Sequence, residues 1–122
     1  MAFSVNTVAL LGRLGADPEL RYTGSGTPVA NIRIATSYRR GETDETEWHD
    51  VVAWGKLAEL VKRMAIKGDR IFISGRLRTR DYEDGKGVRR WRTEIVASEA
   101  VFLGMSAKPK SAAEERNPPE PF

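Results

Sequence analysis

Aromatic rings and arginines share one stretch of the chain, residues 78–94, with the sequence RTRDYEDGKGVRRWRTE. Tyr82 and Trp91 flank a DGKG turn and have mainly charged neighbours, whereas the rings of a structural hairpin would pair with other apolar side chains. Stacked bases would supply apolar partners for the rings, and phosphates would supply anions for the arginines. The stretch therefore indicates a surface for unpaired nucleic acid. The opposing interpretation is a solubilising hairpin whose rings pack on a partner subunit.

A second pair of rings, Trp48 and Trp54, lies in the segment EWHDVVAW. On an uninterrupted strand their even spacing places both rings on one face and His49, Val51 and Ala53 on the other. Large aromatic residues are mostly buried, so a position in the core is one interpretation. The small residues on the opposite face suit the interior of a narrow barrel, and they favour exposure of both tryptophans.

Positive charge is concentrated near the hairpin. The chain has 20 lysine and arginine residues against 17 aspartate and glutamate residues, a net charge of +3. Residues 70–92 alone contain eight basic and three acidic residues, a net charge of +5. Such a distribution suits a polyanion, and it predicts a set of phosphate-binding cations. The candidates are Arg33, Arg76, Arg78, Arg80, Arg90 and Arg92.

The elements that must position these side chains follow from the apolar pattern, which alternates in five segments as it does in strands. These segments cover residues 4–14 (with 20–23 as a short continuation), 29–38, 47–54, 70–83 and 88–103. The polar segment 39–46 is predicted to be a loop. Alternation also predicts which residues face the core. These are Ile32, Ile34, Val51, Ala53, Ile71 and Ile73.

Between the third and fourth strands the pattern changes to a helical period. Leu57, Leu60, Val61 and Met64 lie at i, i+3, i+4 and i+7, and Gly68 is a natural stop for the helix. Three strands, a helix and two further strands match the oligonucleotide-binding (OB) barrel, in which a helix plugs one end. The predicted class is all-β, a five-stranded OB-fold barrel over residues 1–105 with one helix between strands 3 and 4. An open antiparallel sheet with a helix on one face is the alternative.

Composition also bounds the chain outside this barrel. Residues 106–122 are rich in Lys, Ser, Ala, Glu and Pro, which predicts a disordered tail. The absence of cysteine excludes disulfides and thiolate zinc sites and fits a reducing cytoplasm. No apolar run is long enough to span a bilayer, and the first residues lack the basic region of a secretory signal. These features predict a cytoplasmic protein.

Catalytic motifs are absent from the sequence. His49 is the only histidine, no GxSxG motif is present, and the glycines do not form a phosphate-binding loop. The acidic residues Asp44, Glu45, Glu47 and Asp50 are candidates for a metal-dependent nuclease site, although a solvated acidic segment is the favoured interpretation. The prediction is a non-enzymatic protein without cofactor or metal, in which His49 is a packing or interface residue.

Four segments in this order resemble the bacterial single-stranded DNA-binding protein family: VALLGRLGADPELRYTGSGTPVANIRIATS, TEWHDVVAWGKLAELV, KGDRIFISGRLRTRDY and the final PF. The resemblance covers residues 3–104. It implies an OB barrel that assembles as a homotetramer and wraps one DNA strand around several subunits. The implied role is nucleoid-associated, in DNA replication, recombination and repair.

The resemblance also implies roles for individual residues. The family's stacking positions correspond to Trp48, Trp54 and Tyr82, and more loosely to Tyr38, while His49 matches a histidine at the subunit interface. The last residues resemble a tip that binds partner proteins, although they are less acidic than is usual in the family. Its predicted members are Glu120, Pro121 and Phe122.

The predicted function is therefore sequence-tolerant binding of single-stranded DNA. A duplex binder is disfavoured because flat stacking platforms need unpaired bases. A primosome-type or RNA-binding OB-fold adaptor would use the same fold and is the alternative.

Overall fold

A computed structural model describes residues 3–105 of the chain, with side chains described for residues 3–104. The predictions for residues 106–122, which include the tail and its tip, lie outside the described residues. Residues 3–105 form six strands and one helix. In chain order these are β1 (Val8–Leu14), β2 (Glu19–Tyr22), β3 (Pro28–Arg40), β4 (Thr43–Trp54), α1 (Lys56–Met64), β5 (Asp69–Glu83) and β6 (Arg89–Met105).

The strands form one sheet in the order β1-β5-β6-β4-β3-β2, and a further pairing of β1 with β3 closes it. The closing register joins Arg13 to Ala35 and Leu14 to Ile34. Five strands therefore make a closed barrel, while β2 pairs only with the edge of β3. This confirms the predicted OB barrel, with α1 between the third and fourth barrel strands. The alternative prediction of an open antiparallel sheet is wrong.

The barrel interior contains the residues that alternation predicts. All six predicted core residues are at most 3 % exposed, and Leu14 and Ile95 belong to the same buried cluster. Val52 is also buried, although it lies on the same face of β4 as the tryptophans. Its burial shows that other side chains cover part of this outer face.

The helix α1 presents small side chains to the end of the barrel. Ala58 and Val61 are fully buried, and Ala65, directly after the helix, is 2 % exposed. The predicted apolar stripe is wrong at Met64, which is 46 % exposed. The narrow end of the barrel packs against the small side chains of Ala58 and Ala65 instead. Gly68 does not end the helix: it follows four residues later and donates its N–H to the carbonyl of Leu14 at 2.8 Å. Within residues 3–105, no helix combines the length and apolar character required to cross a membrane.

The predicted loop 39–46 is wrong, because both flanking strands continue through it. β3 and β4 pair as far as Arg40 and Thr43, which leaves a two-residue turn that starts at Gly41 with φ +66°. Glycine suits this backbone conformation because it has no Cβ. Beyond the barrel both faces of the hairpin are exposed to solvent, so polar residues occupy both of them. The alternation of apolar and polar residues that marks a strand is therefore lost.

Candidate nucleic-acid interface

The five aromatic side chains predicted to bind nucleic acid are all open to solvent. Their exposed fractions are 51 % for Trp48, 40 % for Trp54, 38 % for Tyr82, 68 % for Trp91 and 49 % for Tyr38. The prediction that both tryptophans of β4 lie outside the core is therefore confirmed. Their exposure leaves ring faces available to a ligand.

Trp48 and Trp54 lie on the same outer face of the barrel. In the β3–β4 register Trp48 is opposite Ala35, and Trp54 is opposite Val29. The guanidinium carbon of Arg33 is 5.0 Å from the centroid of the Trp48 ring, within the range of a cation–π contact. This contact restricts the motion of the Trp48 ring and places a positive charge beside it.

A glycine positions the Trp48 ring from the other side. A Cβ atom added to Gly15 would lie 2.4 Å from Cζ3 of Trp48, so the ring rests against the backbone that follows β1. Gly15 was not among the predicted site residues. Its role depends on a contact with a residue more than thirty positions away, which the local pattern around Gly15 does not contain.

A buried carboxylate orders the arginines next to Trp54. Glu94 is 3 % exposed; its Oε2 accepts a hydrogen bond from Nη2 of Arg78 at 2.5 Å, and both carboxylate oxygens lie 3.3 Å from Nε of Arg80. The guanidinium carbon of Arg78 is 6.0 Å from the Trp54 centroid. Among the described residues, Nε of Arg78 is buried without a hydrogen-bond partner. Glu94 and Trp54 thus fix Arg78 at the expense of one hydrogen bond.

Two adjoining recesses on this face form one groove, with volumes of about 440 and 400 Å³. The first is lined by Arg33, the partner of Trp48, and the second is lined by Trp54. Because they share lining residues, the groove connects the surroundings of the two tryptophans. The shared residues are Asn31, Val52, Arg80 and Glu94.

Most arginines of the groove already have an acidic partner. Besides Arg78 and Arg80, Arg92 forms an ion pair with Asp50, at 2.9 Å between Nη2 and Oδ2. Within residues 3–105, Arg33 and Arg76 make no ion pair with an acidic side chain. Arg33 and Arg76 are therefore the predicted cations most open to a phosphate.

The hairpin of β5 and β6 places Tyr82 and Trp91 on opposite faces. Tyr82 is opposite Arg90 and shares a face with Arg80, whereas Trp91 is opposite Asp81. Residues that are paired across strands share a face, and the next residue points to the other face. The structure therefore brings Tyr82 to the side of the groove and leaves Trp91 on the other side.

The turn of this hairpin is organised by Asp84. Its Oδ2 accepts a hydrogen bond from Nε of Arg90 at 2.7 Å, and its Oδ1 accepts from the backbone amides of Lys86 and Val88 at 2.8 and 3.0 Å. These bonds, with that of Arg90 the largest, hold the pKa of Asp84 below its usual value of 3.8. Arg90, predicted to bind phosphate, is therefore engaged in the turn.

Tyr38 and His49 lie outside the groove. Tyr38 donates its hydroxyl to Glu45 at 3.3 Å near the end of the β3–β4 hairpin. His49 is half-buried, with Nε2 2.9 Å from Oγ1 of Thr36, and it points away from the face of Trp48. Its place in a subunit interface stays a prediction.

The acidic residues near the hairpin tip pair with arginines. Oδ1 of Asp44 lies 3.6 Å from Nη1 of Arg39, and Oε1 of Glu45 lies 3.9 Å from Nη1 of Arg40. Over the part of the chain that the structure describes, no group of three or more His, Asp or Glu side chains is arranged to hold a metal ion.

The fold and this groove define an OB-fold protein with an exposed aromatic and basic face. The model of the Single-strand binding protein family matches residues 5–103, and the chain belongs to that family. The chain is 44 % identical over 110 residues to Single-stranded DNA-binding protein 1 of Chlorobaculum tepidum, covering 85 % of this chain and 68 % of the relative. It is 42 % identical over 107 residues to Single-stranded DNA-binding protein 1 of Xylella fastidiosa, covering 83 % and 79 %.

Proposed function

We propose that this protein binds single-stranded DNA without strong sequence preference. Unpaired bases stack on Trp48 and Trp54, and arginines along the groove neutralise the phosphates. The main support for this proposal is a groove that extends from Trp54 to Arg33, the arginine in contact with the exposed ring of Trp48. Arg78 in turn lies close to the exposed ring of Trp54. Stacking contributes about 1–3 kcal/mol per base, and each neutralised phosphate adds about 0.7 to the slope of log affinity against log salt.

The same chemistry supports a general role for the protein. Neither ring stacking nor phosphate neutralisation identifies the base, so the groove accepts any exposed strand. The protein coats such strands during DNA replication, recombination and repair, in the cytoplasm at the nucleoid. It acts by binding alone and not as an enzyme.

A homo-oligomer, most simply a tetramer, accompanies this function. Leu11, Phe72 and Val101 lie side by side on the outer face of β1, β5 and β6, with Leu103 close by on β6. Leu11 is 58 % and Val101 48 % exposed, and contiguous apolar surface of this kind supports association of subunits. Light scattering tests the oligomer, with and without thymidine oligonucleotides.

The tip residues Glu120, Pro121 and Phe122 are proposed to recruit replication and repair proteins. A phenylalanine fills an apolar pocket on the partner, while nearby acidic groups meet basic residues around that pocket. Since this tip has few acidic residues, we expect its binding to be weak and sensitive to salt.

A competition experiment tests the proposed ligand. A labelled thymidine oligonucleotide is bound to the protein and challenged with unlabelled poly(dT), poly(U) or duplex DNA at one salt concentration. We expect poly(dT) to displace it and duplex DNA to displace it far less, because paired bases cannot stack on the tryptophans. Displacement mainly by poly(U) would favour the RNA-binding adaptor, and efficient displacement by the duplex would contradict the proposal.

Incubation of a labelled single strand with Mg²⁺ or Mn²⁺ tests the nuclease alternative. We expect the strand to remain intact. Cleavage that Asp44→Ala abolishes would overturn the assignment as a non-enzymatic protein.

A further inference from the structure

Two arginines outside the predicted site lie directly opposite each other on the barrel. Arg13 of β1 pairs in register with Arg70 of β5, and both side chains are exposed. Like charges directly opposite each other on an antiparallel pair are destabilising. Within residues 3–105 neither arginine forms an ion pair that would offset this repulsion. An anionic ligand between them would remove the cost.

The two arginines line a recess that is suited to such a ligand. Its volume is about 340 Å³, and its walls include Ala35, Thr36 and Ser37 of β3. Leu11 also lines it, so the recess lies at the edge of the apolar surface proposed for subunit association. Two guanidinium groups offer paired N–H donors in the geometry that phosphate oxygens accept. The chemistry of the recess therefore fits a phosphate or a phosphodiester.

The strand register connects this recess to Trp48. Trp48 is opposite Ala35, Ala35 is opposite Arg13, and Arg13 is opposite Arg70, so one outward row crosses four neighbouring strands. With about 4.8 Å between strands, Arg13 lies about 10 Å from Trp48 along the row. Trp48 also rests on Gly15, close to the end of β1. Trp48 thus stands between the groove on one side and the arginine pair on the other.

We propose that Arg13 and Arg70 form a phosphate-binding subsite that carries the single strand past Trp48 and around the barrel. This inference rests on the proposed function and extends it. A strand with one base stacked on Trp48 brings its next phosphates over Ala35 to the arginine pair. The path is then longer than the groove between Trp48 and Trp54.

The test compares two double variants that each remove two positive charges. Arg13→Gln/Arg70→Gln changes the proposed subsite, and Arg63→Gln/Lys67→Gln removes two exposed cations at the helix end of the barrel as the matched control. Binding of thymidine oligonucleotides of about 4 and about 16 nucleotides, the range of site sizes for one OB fold, is measured over a series of salt concentrations. The short strand occupies only the groove, whereas the long strand reaches the arginine pair.

For Arg13→Gln/Arg70→Gln we expect the salt slope with the long strand to fall by up to about 1.4, since each phosphate contact contributes about 0.7. The slope with the short strand should stay as in the parent protein. The control variant should keep both slopes. Because the short strand is measured on the same protein, loss of folding is distinguished from loss of the subsite.

Other outcomes would overturn the inference. A slope lowered equally in the two double variants would show that only the overall charge of the protein matters. A parental slope in both would show that the arginine pair does not contact the strand. A changed mass in light scattering with an unchanged slope would assign the arginine pair to acidic residues of a second copy. If the parent protein bound neither oligonucleotide, the proposed function itself would fail.

Discussion

At the scale of single residues, each of the two tryptophans Trp48 and Trp54 has a cation near its ring. Arg33 lies against the ring of Trp48, and Arg78 lies near the ring of Trp54. Arg78 also donates a hydrogen bond to the buried carboxylate of Glu94. Rings that are held before binding lose less conformational freedom when a base stacks on them. The contacts therefore favour binding without adding any recognition of base identity.

Stacking and charge should separate in mutants of this groove. Trp54→Ala is expected to weaken single-strand binding by about 1–3 kcal/mol with little change in the salt slope, because a stacked base is lost and no phosphate contact is lost. Arg33→Ala should lower the slope by up to about 0.7. Titrations over a range of salt concentrations measure both quantities. Equal salt dependence in the two variants would contradict this division of roles.

The buried carboxylate should matter more for stability than an exposed one in the same hairpin. Glu94→Gln is expected to lower the free energy of unfolding by about 1–3 kcal/mol, because charged hydrogen bonds in a buried place are lost. The control is Asp81→Asn, which breaks the exposed pair with Arg89 at 3.2 Å and should cost about 0–1 kcal/mol. Urea unfolding measures both values. A cost for Asp81→Asn as large as that for Glu94→Gln would contradict the role given to burial.

At the scale of elements, closure of the barrel depends on a glycine of β1. A Cβ atom added to Gly12 would lie 2.3 Å from the carbonyl oxygen of Ala35, in the pairing that joins β1 to β3. Gly12→Ala is therefore expected to destabilise the protein by about 1–3 kcal/mol, as overpacking commonly does. Gly24→Ala is the control, because no atom lies within 4 Å of its added Cβ, and it should change stability by at most about 0.5 kcal/mol. Thermal unfolding at one pH compares the two variants.

The turn of the β5–β6 hairpin should loosen in acid. Because the folded pKa of Asp84 is lowered, its ionised form stabilises the turn fully above the ordinary value of 3.8. That contribution is lost as the pH falls below 3.8 through the lowered folded pKa. Hydrogen exchange at the amides of Lys86 and Val88, corrected for the intrinsic pH dependence of exchange, should lose protection in this range. Asp84→Asn should remove this pH dependence, and a persistent dependence would assign it to another group.

The sequence alone was sufficient to predict the barrel, because strands with one face in the core and one in solvent alternate strictly between apolar and polar residues. Ile71 and Ile73 are both fully buried, as alternation requires. The hairpin of β3 and β4 was missed beyond the barrel rim, where no apolar face is needed. Met64 was misplaced because helical spacing does not show which of two adjacent stripes, one large and one small, faces a narrow barrel end.

The sequence predicted the exposed rings of the candidate site but not the pairing of its charged side chains. Exposure of Trp48 and Trp54 followed from the small residues opposite them, but the pairing of Arg78 with Glu94 depends on the register of two strands. The same register separates Trp91 from Tyr82. Composition does not contain this information, since a one-residue change in register moves every side chain to the other face.

At the scale of the whole molecule, the groove has little excess charge for a polyanion binder. Four of the five arginines that line it, Arg21, Arg78, Arg80 and Arg92, are paired with acidic side chains. Phosphates must therefore compete for these cations or bind at the unpaired ones. The homo-oligomer proposed above would offset this, because a strand bound at one subunit would present its next segment to the adjacent groove at high effective concentration.

Fluorescence titration with a thymidine oligonucleotide shows whether unpaired bases stack on Trp48 and Trp54 and not on Trp91. Trp91→Phe should keep most of the quenching, because Trp48 and Trp54 remain. Trp48→Phe/Trp54→Phe should lose nearly all of it. Quenching that disappears in Trp91→Phe and persists in Trp48→Phe/Trp54→Phe would contradict the account.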